Sequence, residues 1–126
     1  MDGTDCLLQN YKPFWKGWFS HKFKHAGARW EVALCLRTGE IVWLQGPFPC
    51  GKWPDIETFR HSLISHMEEG EKAEGDDGYI GEPTKTLTPK INTLNQSDAK
   101  YWQYTRNRQE TVNKRFKDWK CLTNPC

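Results

Sequence analysis

The sequence predicts an α/β domain, a mixed sheet with flanking helices, and three patterns predict it. Apolar residues alternate through "RWEVALCLRTGEIVWL" (residues 29–44), they recur at helical spacing between 56 and 67, and no Gly or Pro interrupts residues 97–120. A chain of 126 residues with seven tryptophans can bury one modest core and has no room for a second, so residues 1–126 read as a single domain.

Each element follows from local chemistry. "DGTDCLLQ" (residues 2–9) reads as a short strand, and "KPFWKGWFSHKFKHAG" (12–27) as a basic, aromatic loop punctuated by Pro13, Gly17 and Gly27. Trp30, Val32, Leu34 and Leu36 alternate with polar or smaller residues, Thr38 and Gly39 make a turn, and Ile41 to Leu44 return, which is a hairpin. Pro47, Pro49 and Pro54 with Gly46 and Gly51 mark "GPFPCGKWPD" as a loop that leads into a helix, with Asp55 as N-cap or Pro54 in the first helical position. Ile56, Phe59, Leu63, Ile64 and Met67 form its apolar stripe, and Gly70 ends it. A short strand is expected over 72–75, running into Asp76, followed by an irregular stretch to residue 96.

The last helix is capped by Ser97 or Asp98 and runs to about residue 120. Val112, Phe116 and Trp119 share a stripe expected to face the core. Arg106, Glu110, Asn113, Lys114 and Lys117 share another, roughly opposite, so that one carboxylate sits in a basic, polar ridge. An i,i+4 ion pair of Glu110 with Arg106 or Lys114 is the purely structural use of that carboxylate.

Composition excludes several classes. No apolar run approaches membrane-spanning length, and "MDGTDCLLQN" lacks the basic start and apolar stretch of a signal peptide, so an intracellular chain without a membrane partner is expected. Five cysteines without a CxxC pair argue for reduced thiols over a disulfide framework or a zinc site. His21 and His25 stand four apart, but no further ligand pattern completes a metal site around them. The net charge is only +2, yet Lys12 to Arg29 is wholly basic, Asp55 to Glu82 mostly acidic and Lys100 to Lys120 basic again, a distribution suited to a polyanion on either side of an acidic centre.

A strand starting at Asp2, a hairpin, a helix, a second strand ending in Asp76 and a long helix bearing Glu110 follow the element order of ribonuclease H-like domains. There, two adjacent central strands each bring an acid to one edge and a helix supplies the third. Carboxylates without His or Cys are hard oxygen ligands suited to Mg²⁺ or Mn²⁺. Two such ions about 4 Å apart activate a water or a DNA 3′-hydroxyl for in-line attack on a phosphodiester.

Four motifs, "MDGTDC", "GPFPCGKWPDIETFR", "EGDDGYIG" and "RNRQETVNKRFKDWKCL", resemble in that order the DDE superfamily endonuclease domain of Harbinger-type and related transposases. The resemblance implies Asp2, Asp76 and Glu110 as catalytic and metal-binding acids. Asn113 matches the last position of an R-x-x-E-x-x-N-like helix, and Asn107 stands where that pattern has arginine. Asp77 fills a position the family gives to a small or polar residue. Asp5 competes for the first strand's role but alternates to the face opposite Asp2. The implied cofactor is a divalent cation, Mg²⁺ or Mn²⁺. The implied partner is double-stranded DNA, met by Lys16, Lys22, Lys24, Arg106, Lys114 and Lys117, with a separate DNA-binding protein as a second partner where sequence must be read. The implied location is nuclear.

Relatives have a strand leading into the first Asp and further elements after the Glu-bearing helix, so the resemblance also implies a fold truncated at both ends. A marginally folded chain that cleaves DNA poorly is expected, with stability and metal affinity rising when about eight upstream residues complete the first strand. A transposase-derived module that binds DNA or protein without catalysis needs the basic faces but not the three acids. A zinc-stabilised interaction domain has the least support, for want of ligand spacing.

Overall fold

β3 (His25–Leu34) is the hub of the computed structural model, which describes residues 1–9, 15–89 and 95–119. β1 (Asp2–Leu7) pairs antiparallel with it along its whole length, from Asp2 opposite Val32 to Leu7 opposite Gly27. β4 (Ile41–Pro49) pairs antiparallel with it too, and β2 (Phe19–Ser20) joins its first residues. The turn between β3 and β4 includes Gly39 at φ 76°, a conformation that costs glycine little. A second, two-stranded sheet pairs β5 (Ala73–Glu74) in parallel with β6 (Thr86–Leu87). The architecture is mixed α/β.

Alternation along β1 and β3 gives the sheet two different faces. Thr4, Cys6 and Trp30 look towards α2 (Gln96–Lys117), where they line an apolar hollow with Leu44 and Phe116. Asp5, Arg29 and Glu31 look towards α1 (Asp55–His61): Arg29 reaches Asp55 and the Trp53 carbonyl, and Glu31 accepts from Ser62. Under α1, Phe59 meets Tyr79 edge to face with ring centres 6.2 Å apart, and neither residue has any exposed surface.

Four local expectations are corrected. The basic loop contains β2, and β3 begins at His25, ahead of Trp30. β4 runs on through Pro47 and Pro49, because a strand bonded on one side only tolerates prolines, and the register shifts opposite Arg29 to Glu31 where Gly46 and Pro47 intervene. β4 carries no charged side chain, and Ile41, Val42 and Leu44 are exposed. The helix expected to reach Gly70 stops at His61. Ser62 leaves helical geometry (φ −128°, ψ −91°) as its hydroxyl donates to Glu31 Oε1 at 2.6 Å, and only a 3₁₀ turn, Leu63–His66, follows.

The fourth correction concerns α2, whose cap is Asn95, accepting from the Asp98 amide at 2.8 Å. Its buried residues, Thr105 and Gln109, continue the stripe of Val112 and Phe116 at gaps of four, three and four, and Phe116 meets the sheet as expected. Asn113 and Lys117, on the edge of the polar ridge, reach Asp2 and the Asp5 carbonyl, and Trp119, two residues past the last helical residue, is 69% exposed rather than in the core. Among the described residues no helix is long and apolar enough to cross a membrane. Cys6, Cys35 and Cys50 carry free thiols, and Cys121 and Cys126 lie outside the described residues.

Candidate active site

Asp2 is the first residue of β1. Its Oδ1 accepts from the Gly3 amide and its Oδ2 from Asn113 Nδ2, both at 2.9 Å. The Met1 ammonium donates to the Glu74 carbonyl at 2.6 Å, which sets the start of β1 beside β5. Asp76 follows β5 and caps the 3₁₀ turn Asp77–Tyr79, accepting from the Gly78 amide at 2.9 Å. Glu110 projects from α2 with 62% of its side chain exposed, 3.7 Å from Arg106. Asp2, Asp76 and Glu110 line one narrow pocket of about 40 Å³, together with Glu74, Arg106 and Gln109.

These donors are all oxygens, which fits a hard divalent ion in kind. Among the described residues, however, no three acidic, His or Cys side chains stand close enough to hold one ion. The fit is therefore of one or two carboxylates at a time, with water or substrate oxygens completing the shell, which is the usual condition of Mg²⁺.

Charge crowding is visible at Asp2. Burial first, then the Asp76 and Asp55 carboxylates, push its pKa up to about 6, against an opposing hydrogen bond from Gly3. A carboxyl raised in the folded state stabilises the fold below its ordinary value of 3.8, and that contribution is lost as pH rises through about 6. Asp2→Asn is thus predicted to melt about 3 °C or more above the parent at pH 7.5 in metal-free buffer, with the two curves converging below pH 4. A difference that persists at acid pH would point to packing instead.

Asp5 serves the other face. It is 4% exposed, receives Arg29 at 2.8 and 3.2 Å and Ser20 at 2.9 Å, and these donors hold its pKa below the ordinary value against the cost of burial. Asp77 is exposed at the head of its turn. Lys16, Lys22, Lys24 and Lys114 are exposed, and Arg106 borders the acidic pocket. Lys117 is engaged instead: its ammonium donates to the Asp5 carbonyl, approaches Cys6 Sγ at 3.5 Å and lies over the Phe23 ring.

Asp55 is the acid that sequence reasoning assigned to a cap. Pro54 holds the cap position, Asp55 is the first helical residue, and no side-chain cap bond forms. Its Oδ1 stands 3.3 Å from Arg29 Nη1, and a side chain at Gly3 would collide with it. Burial and Asp76 raise its pKa, and Arg29 opposes them. Tyr79 and Glu31, both without exposed surface, have a hydroxyl and an Oε2 that lack hydrogen-bond partners. No family model, curated protein or solved structure matches the chain.

Proposed function

We propose that this chain is a DDE-type catalytic domain with a ribonuclease H-like fold, related to Harbinger-type transposases, that cleaves double-stranded DNA and transfers strands with Mg²⁺ or Mn²⁺. One observation carries the reading: Asp2, Asp76 and Glu110, from β1, the exit of β5 and α2, line a single pocket, and Asn113 of the Glu110 helix bonds to Asp2. β1 pairs with β3, and the Met1 ammonium ties its start to the Glu74 carbonyl of β5 in the second sheet, which supports the meeting of Asp2 and Asp76 at that pocket.

A divalent ion there would activate the attacking hydroxyl and stabilise the leaving oxygen. The chain's own residues orient the acids. Asn113 fixes the Asp2 carboxylate, and the Gly78 amide fixes that of Asp76. Arg106 brings positive charge to the pocket's rim, where a phosphate would lie. Lys16, Lys22, Lys24 and Lys114 are free to meet backbone phosphates outside it.

The deciding experiment is nicking of supercoiled DNA in Mn²⁺, with Glu110→Gln. Lost nicking with retained DNA binding supports catalysis. The non-catalytic module is favoured by the exposure of Glu110 and its pairing with Arg106, and it predicts no metal-dependent nicking by either protein. Binding by the exposed lysines should weaken steeply between 50 and 200 mM salt, about tenfold or more for three phosphate contacts. Affinity insensitive to salt over that range would remove this surface from consideration.

A further inference from the structure

We infer that Asp55 is a metal ligand of this centre, sharing a divalent cation with Asp76 across Gly78. The inference deepens the proposed metal-dependent activity and rests on it for the presence of an ion. It begins with a shared point in space. The place a Cβ would take on Gly78 is 3.0 Å from Asp55 Oδ2 and 3.0 Å from Asp76 Oδ1, so the two oxygens face each other across no more than twice that distance. Glycine leaves the gap open.

The division of labour within Asp55 suits a ligand. Oδ1 is buried and pairs with Arg29 at 3.3 Å but accepts no hydrogen bond, while Oδ2 is the atom turned towards Asp76. Asp76 Oδ1 accepts one bond from Gly78 and, as a carboxylate oxygen, keeps a second lone pair for an ion. Two carboxylates and several waters are a common Mg²⁺ shell, so the pair suffices where no three side chains converge.

Tyr79 is an independent pointer to a ligand. It has no exposed surface, its hydroxyl has no hydrogen-bond partner, and burial, followed by the charges of Asp55, Glu31, Asp2 and Asp76, raises its pKa. A buried hydroxyl without a partner is costly, and a water on the ion would donate to its oxygen. Glu110, by contrast, is exposed and paired with Arg106.

The test is Mn²⁺ binding by the chain, followed by electron paramagnetic resonance. Asp55→Asn and Asp76→Asn should each weaken it tenfold or more, and Asp77→Asn should leave it unchanged. Gly78→Ala keeps every charge but fills the gap, and it should weaken binding as well. It decides the matter if circular dichroism shows Asp55→Asn unfolded. Unchanged binding by folded Asp55→Asn, or by Gly78→Ala, overturns the inference. If Asp55→Asn is silent while Asp76→Asn and Glu110→Gln each weaken binding, Asp55 is excluded and the proposed function stands. If Asp55→Asn and Asp76→Asn weaken it while Glu110→Gln does not, Asp55 is upheld and Glu110 loses its place. A parent chain that binds no Mn²⁺ sinks both.

Discussion

Asp76→Asn is expected to lower Mn²⁺-dependent nicking of supercoiled DNA on the order of 100-fold or more, the loss typical when a charge that stabilises a transition state is removed. The change is chemically narrow. An asparagine oxygen can still accept from the Gly78 amide, so the 3₁₀ turn keeps its cap while the site loses one negative charge. Melting temperature in metal-free buffer should hold or rise, because after burial the Asp76 charge is the main cause that raises the Asp2 pKa. Nicking undiminished by this substitution, in a protein whose parent nicks, would place the chemistry elsewhere.

Arg29→Met should be the most destabilising single change on the α1 face of the sheet. Arg29 binds Asp5 at 2.8 Å and Asp55 at 3.3 Å and donates to the Trp53 carbonyl at 3.1 Å, so one cation serves two acids and a chain segment. Asp5 is 4% exposed and cannot turn to water when its partner is lost. Stranding a buried charge costs about 3–5 kcal/mol. For a chain of this size that is roughly 10 °C or more in melting temperature. Asp5→Asn with Arg29→Met should recover part of the loss, since the double variant strands one charge fewer. A thermal melt within 2 °C or so of the parent would show that water already screens the pair.

What was legible in the sequence was whatever depended on near neighbours. β1, the β3–β4 turn and α2 announce themselves through alternation, Thr38-Gly39 and an uninterrupted helical run, and they form close to where those signals fall. What was hidden depended on distant partners. Leu63, Ile64 and Met67 continue a helical stripe, but Ser62, where the helix ends, hydrogen-bonds to Glu31, thirty-one residues away. Pro47 and Pro49 read as loop because local rules cannot know that β4 has one bonded side.

The candidate site divides in the same way. Asp2 and Asp76 stand in short motifs and were named from them, and Asn113 was noticed through its spacing from Glu110. Its bond to Asp2 was not foreseeable, because it spans 111 residues and depends on how α2 is laid against the sheet. Asp55 looked like a cap, with Pro54 in the first helical position as the alternative, since Asp is a favoured N-cap. Only the fold brings Gly78 and Asp76 to its side. Trp119 was misread because the helix ends at Lys117, so the helical period no longer places its side chain.

The bond between Asn113 and Asp2 joins residues 111 positions apart, and Lys117 reaches Asp5 across 112. A ribosome adding about 5–20 residues each second would therefore hold β1 for several seconds before the helix that orients Asp2 emerges. The β1–β3–β4 meander can assemble early in that interval from partners nearby in the chain. The pocket closes last, and closing so long a loop is slow. A nascent chain of this protein would carry its sheet before its acids are set, so the proposed site stays unassembled until α2 has emerged.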